Sequence, residues 1–423
     1  MSSFRPVVTH IRRLKVWVGS IGVLLSFFTS VYAEGALDYW REAQRLQGQG
    51  LVDQALELYT RGVQLEPHHP RAYTMYNNRG LLYYTMGKYQ EALEDFTKDI
   101  ELNPNESEFY GNRGNVYHVM KMAEQALVDY TVAIQLNPQN AVAYNNRGSL
   151  YFEKGKLDKA EADYTKAIRI NPQDTEYYCN RGDLYRIEGY YERALLDLNK
   201  AIALSPPNSV AYYHRAMVNF EGGNYEKAKA DMDEALRIEP DDPELYCTRG
   251  DICRAQGYYD WAIADYSKAI ALSPPYTSAY NRRGSAYLEQ GDFTRAVKDF
   301  AKAIELNSRF ALAYYNRGDA YREQERYQDA LGDFAKVISL NPSYYQAYYK
   351  RGWIYFMQQK HAQAVSECTK ALKLNGSYRD AFFIRAKAYQ ALGKMHEAND
   401  DLKKVEELGG DSEMRGTHDF KIF

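Results

Sequence analysis

Residues 141–174 read AVAYNNRGSLYFEKGKLDKAEADYTKAIRINPQD, and residues 175–208 read TEYYCNRGDLYRIEGYYERALLDLNKAIALSPPN. Counted from Ala141, positions 4, 7, 8 and 11 fall at helical spacing, as do positions 20, 24, 27 and 28. Gly155 and Gly189, at position 15 of the two stretches, break the chain between those halves. Pro172, at position 32, closes the first stretch. Each stretch therefore encodes two amphipathic helices and a turn.

The same unit recurs outward in both directions. Arg147 has counterparts at Arg79, Arg113, Arg181, Arg215, Arg249, Arg283, Arg317, Arg351 and Arg385, each 34 residues from the next. Gly follows in eight copies, and Ala216 and Ala386 follow in the other two. Position 4 is aromatic from Tyr76 to Phe382, and position 20 is alanine from Ala92 to Ala398. This copying accounts for the 40 tyrosines of the 423-residue chain. A divergent first copy, Ala36–His69, carries Tyr39, Gly50, Ala55, Tyr59 and Pro67, and Pro70-Arg71-Ala72 separates it from the rest. The eleven units are 36–69, 73–106, 107–140, 141–174, 175–208, 209–242, 243–276, 277–310, 311–344, 345–378 and 379–412. Residues 413–423 form a tail after Gly409-Gly410.

In Ala141–Asp174, Tyr144, Gly148, Tyr151, Ala160, Tyr164, Ala167 and Pro172 follow the pattern of the tetratricopeptide repeat, which the chain resembles over residues 36–412. Arg147 departs from it, because the family more often has leucine there. The resemblance implies an all-α solenoid, a right-handed superhelix of helix-turn-helix units whose first helices line a concave groove. It also implies a protein–protein interaction role. Within the array there is no metalloprotease His pair, phosphate loop or Gly-x-Ser-x-Gly elbow, so no enzyme activity, cofactor or metal is expected.

The recurrent arginines have a partner. Position 23 is an acid in each of those ten copies, with Asp163 opposite Arg147 and Asp333 opposite Arg317. In the first copy both types vanish together, leaving Glu42 and Leu58. Structural ion pairs are expected, since a partly buried arginine without its acid costs about 3–5 kcal/mol.

The stripe opposite the core face of each first helix is what packing leaves unexplained. Position 6 carries Asn78, Asn112, Asn146, Asn180 and Asn316. An amide offers both donor and acceptor, and long members of the resembled family use an Asn ladder at this position to hold an extended peptide backbone. Positions 9 and 12 alternate with a two-repeat rhythm. Charged copies carry Asp183 with Arg186, Asp251 with Arg254, and Asp319 with Arg322, while Phe152, Phe220, Trp353 and Phe356 mark apolar copies. On a face expected to be exposed, aromatics and arginines read as anchors for a protein or extended-peptide partner.

Residues 1–33 stand apart. Arg5, Arg12, Arg13 and Lys15 precede an apolar run and Val31-Tyr32-Ala33, which reads as a signal peptide. Were it retained, Val16 to Ala33 would be an N-terminal membrane anchor. The whole chain balances 53 Lys+Arg against 56 Asp+Glu, a net charge of −3 that becomes −7 when the four basic residues of 1–33 are removed. That excludes a basic footprint for nucleic acid. Cys179, Cys247, Cys253 and Cys368 are expected to be free thiols, because their spacing cannot bring pairs within bridging distance. The sequence thus predicts an exported adaptor of the bacterial periplasm holding an extended peptide or partner subunit in its groove. The competing expectation is a membrane-tethered structural component or regulatory subunit acting through its convex face or by self-association.

Overall fold

The computed structural model describes residues 35–67 and 72–409. The expected signal segment 1–33, the turn pair His68-His69 and the tail 413–423 lie outside them. Among the described residues the secondary structure is 22 helices with no strand. Spatial clustering divides the chain into two compact units, Met1–Arg147 and Gly148–Phe423.

The first unit contains α1 (Ala36–Gly48), α2 (Val52–Leu65), α3 (Ala72–Thr85), α4 (Tyr89–Leu102), α5 (Ser107–Val119) and α6 (Ala123–Leu136). Helix α7 (Ala141–Glu153) carries the boundary. The second unit continues with α8 (Leu157–Ile170), α9 (Thr175–Ile187), α10 (Tyr191–Leu204), α11 (Ser209–Glu221), α12 (Tyr225–Ile238), α13 (Pro243–Ala255), α14 (Tyr259–Leu272) and α15 (Thr277–Gln290). It ends with α16 (Phe293–Leu306), α17 (Ala311–Glu323), α18 (Tyr327–Leu340), α19 (Tyr345–Met357), α20 (His361–Leu374), α21 (Arg379–Ala391) and α22 (Met395–Leu408). Within each unit an odd helix packs on the even helix that follows, and that even helix packs on the next odd one. The fold is an all-α solenoid.

Position 15 explains where each helix pair bends. Its φ is positive throughout, from 67° at Gly155 to 88° at Gly291, and three copies place Lys121, Glu325 and Gln359 there at 58° to 62°. The left-handed residue turns the chain so that Lys156 N–H bonds to Tyr151 C=O at 2.8 Å, closing a Schellman-type C-cap.

The core sits between the two helices of a pair. Position 20 is fully buried alanine in every copy from Ala55 to Ala398. In six copies the position-8 glycine lies beneath an aromatic ring at position 24, which leaves no room for a Cβ. A Cβ at Gly250 would stand 2.6 Å from the Tyr266 ring, and one at Gly284 would stand 2.7 Å from Phe300. Ala216 is accommodated in a copy whose core holds the flexible Met232 instead of a ring. No helix among the described residues is long and apolar enough to cross a membrane.

Candidate functional site

The position-7 arginines are consumed inside the array. Arg317 grips Asp333 with two hydrogen bonds of 2.8 Å, and Arg181 grips Asp197 at 2.7 and 2.9 Å. The same fork joins Arg79 to Asp95, Arg113 to Asp129, Arg215 to Asp231, Arg249 to Asp265, Arg283 to Asp299 and Arg385 to Asp401. Arg351 meets Glu367 in a single 3.3 Å contact. The remaining Nη1 reaches back to position 25 of the preceding copy, as from Arg181 to Thr165 and from Arg283 to Ser267, both at 3.0 Å. Tyrosines three residues before and four after cover the guanidinium, with Arg317 lying 5.6 Å from Tyr314 and 5.7 Å from Tyr321. Each such arginine thereby joins three helices. In the first unit Arg147 bonds Thr131 at 3.3 Å and lies over Tyr144, and in the second unit Asp163 is buried.

The position-6 asparagines are half-buried, and three of them bridge successive odd helices. Asn112 Nδ2 donates to Asn77 at 3.0 Å, Asn146 Nδ2 to Asn115 at 2.8 Å, and Asn316 Nδ2 to Asn281 at 3.1 Å. Asn78 donates to the Tyr59 hydroxyl at 3.2 Å. Asn180, on α9, is half-buried in the same register. The amides of Asn112, Asn146 and Asn316 are thus each fixed by a bond to the preceding odd helix.

The two-repeat rhythm corresponds to a set of charged ties. Each position-9 acid meets a cationic or imidazole group at position 6 of the next copy: Asp183 meets His214 at 3.2 Å, Asp251 meets Arg282 at 3.1 Å, and Asp319 meets Lys350 at 3.1 Å. Arg186 bonds both Asp183 and Glu221, Arg254 bonds Glu289, and Arg322 bonds Asp319 and lies 5.0 Å over the Trp353 ring. Burial alone would raise the Asp183 carboxyl, but the His214 hydrogen bond and the Arg186 charge outweigh it and hold it at about 2. Sequence pattern missed these ties. Their signal was the alternation of an acid with His214, Arg282 or Lys350 thirty-one residues later.

An open stripe was expected at these positions, and the structure corrects that in part. Arg186 is 8% exposed, Arg322 7% and Trp353 6%. Phe152, Phe220 and Phe356 are half-buried, with Phe220 against Tyr225 and Phe356 against His361. The reason is that successive odd helices touch, as α9 does α11 and α19 does α21, so positions 9 and 12 fall at a seam between helices. Asp251, Arg254 and Asp319 stay half-buried at the same seam.

An open pocket of about 230 Å³ lies between α1, α3 and α5 in the first unit. Trp40, Tyr73 and Phe109 wall it, Glu106 and Glu108 stand at its edge, and Asn77 and Asn78 contribute amides. The Trp40 Nε1–H is buried without an acceptor. Nearby, Asp99 is wholly buried with no side-chain donor to its carboxyl, in a position where seven other copies have alanine. Burial above all, then the Asp95 charge, pushes its carboxyl up to about 9. The repeat pattern did not single out this site, because Trp40 belongs to the divergent first copy.

All four cysteines are free and buried. Burial pushes the Cys179, Cys247 and Cys368 thiols up to about 12 and that of Cys253 to about 11. Among the described residues no group of three or more His, Cys, Asp or Glu side chains is arranged to hold a metal ion.

Tetratricopeptide repeat family models match residues 73–106 and 141–174, 175–208 and 209–242, and 281–338 and 320–379, with a further TPR repeat model at 250–291. The chain belongs to the tetratricopeptide repeat family. Among solved structures it is similar to the MamA protein, at 28% identity over 39% of this chain and 91% of that one, with a TM-score of 0.36. A tetratricopeptide repeat protein from Parabacteroides merdae ATCC 43184 matches at 25% identity over 70% of this chain and 98% of that one, with a TM-score of 0.40. The human IFIT1 dimer with m7Gppp-AAAA matches over 90% of this chain and 91% of that one at a TM-score of 0.50, and at 16% identity the likeness is one of fold. Repeats of this family typically form scaffolds that bind protein partners, and a protein-interaction scaffold is the general class of this protein.

Proposed function

We propose that the chain is an exported, non-enzymatic adaptor of the cell envelope that holds an extended peptide or partner subunit along its odd-helix face. The observation that carries this reading is the row of half-buried amides, of which Asn112, Asn146 and Asn316 are held in place by bonds to the preceding odd helix. A peptide backbone laid across α5 and α7 meets oriented amides in successive repeats and is gripped without its side chains being read. The half-buried Phe152, Phe220 and Phe356 add apolar edges to the same face. The test is affinity capture from the native envelope fraction with the chain beginning at Glu34, alongside the Asn112→Ala/Asn146→Ala/Asn180→Ala variant. Loss of the captured protein with unchanged helicity is the expected outcome, and full retention would refute the reading. Export is tested by the mass of the protein recovered from its native source, which should begin at Glu34.

A second mode has its own support on the even helices, where Leu196 is 73% and Trp261 62% exposed. Capture that survives the asparagine changes but is lost with Leu196→Asp/Trp261→Asp would place the contact on that face, or make it one of self-association.

A further inference from the structure

We infer that the pocket between α1, α3 and α5 receives an arginine or lysine side chain of the bound peptide, which deepens and rests on the groove-binding reading above. Three aromatic rings wall it: Trp40, and Tyr73 and Phe109 with their centroids 5.7 Å apart. Ring faces attract a cation through their quadrupole, and tryptophan does so best. At the edge, Glu106 and Glu108 are both exposed, and among the described residues neither has an ion-pair partner. Among the described residues no lysine, arginine or histidine lines the pocket. Most acids on the odd-helix face are matched by a nearby base, as Asp183 is by Arg186 and Asp319 by Lys350, so these two stand out.

Behind them the buried Asp99 carboxyl is pushed up to about 9 by burial and is neutral at pH 7, so the two exposed glutamates carry the negative charge of this site. Aromatic walls, uncompensated carboxylates and an indole N–H awaiting an acceptor suit a peptide segment bearing a positive side chain beside a backbone carbonyl. The pocket's volume of about 230 Å³ is below that of sites for drug-sized ligands, roughly 300–1,000 Å³, and suits one side chain.

The experiment uses the full chain labelled with 5-fluorotryptophan, whose Trp40 signal is assigned by its loss in Trp40→Phe. Acetyl-Gly-Arg-Gly-amide and acetyl-Gly-citrulline-Gly-amide are titrated in parallel, since citrulline keeps the shape of arginine and removes its charge. The expected result is a saturable shift of the Trp40 signal with the arginine peptide, at least fivefold weaker with citrulline. It should also weaken at least fivefold in Glu106→Gln/Glu108→Gln, whose exposed sites leave folding intact, and fall with added salt. An equal response to citrulline, or one unchanged in the double variant, overturns the inference and leaves groove binding standing. Absence of any shift with either peptide overturns it too, and the capture experiment with the asparagine variant decides the broader reading independently.

Discussion

Replacing Asp99 by alanine should stabilise the first unit, and by an amount that depends on pH. Alanine is what seven other copies place at the equivalent position, and Ala133, Ala167, Ala201 and Ala269 among them are fully buried. The Asp99 carboxyl is pushed by burial, and next by the Asp95 charge, from 3.8 to about 9, while the Asn77 backbone and Arg79 pull the other way. In the unfolded chain this group is ionised at neutral pH, so folding must take up a proton. Each pH unit above the unfolded value costs about 1.4 kcal/mol, which sets a ceiling of about 4 kcal/mol at pH 7. The smaller alanine forfeits contacts worth about 1 kcal/mol, leaving a net gain of about 2–3 kcal/mol at pH 7. Below about pH 4 the carboxyl is protonated in both states and carries no penalty, so the gain vanishes and the lost contacts make Asp99→Ala slightly less stable. Between pH 4 and 9 the gain grows, and above about 9 it levels off. Hydrogen exchange of peptides from α3, α4 and α5 at pH 5, 7 and 9 reads this locally, as an array of neighbour-coupled repeats requires. A stabilisation independent of pH, or largest at pH 5, would refute the account.

Asp197→Ala, which strands the Arg181 guanidinium beside a buried site, should cost about 3–5 kcal/mol, and Arg181→Leu/Asp197→Leu should recover more than half of it in urea unfolding. A double variant as unstable as the sum of the singles would show that pairing is not the cause. Gly250→Ala should cost about 1–3 kcal/mol because its Cβ meets the Tyr266 ring, whereas Ala216→Gly should cost no more than about 1 kcal/mol. Glu325→Gly should raise the melting temperature, since left-handed backbone costs a non-glycine residue about 1–2 kcal/mol and glycine gives back only part of that in chain entropy. A thiol reagent at pH 8 should label none of the four cysteines quickly in the native protein and all four in denaturant, so rapid native labelling at any of them would contradict their burial.

The charged ties bear on how the array moves. Asp183–His214, Asp251–Arg282 and Asp319–Lys350 each couple one repeat to the next, and they recur every second repeat. The seams between these couples carry fewer charged contacts, so opening of the solenoid should follow a two-repeat period. Hydrogen exchange that is uniform from α9 to α20 would contradict this.

The family and the all-helical fold were legible in residues 141–174 alone, because a hydrophobic period and a turn signal copied at fixed spacing are local properties of the chain. The acid that matches each arginine was legible for the same reason, since Arg317 and Asp333 belong to one copy and recur together. What the stripe of positions 6, 9 and 12 does was not. A helical wheel treats the first helix as solitary, and on it Trp353 and Arg186 face water. In the folded chain the neighbouring odd helix lies against that face, covers Trp353 with Arg322, and supplies Glu221 to Arg186. The pocket around Trp40 and the orphaned Asp99 were equally out of reach, because each depends on which side chains three successive repeats bring together. Repetition is written along one strand of sequence, whereas the contents of a seam depend on differences between copies, and those acquire physical meaning only when the copies are stacked.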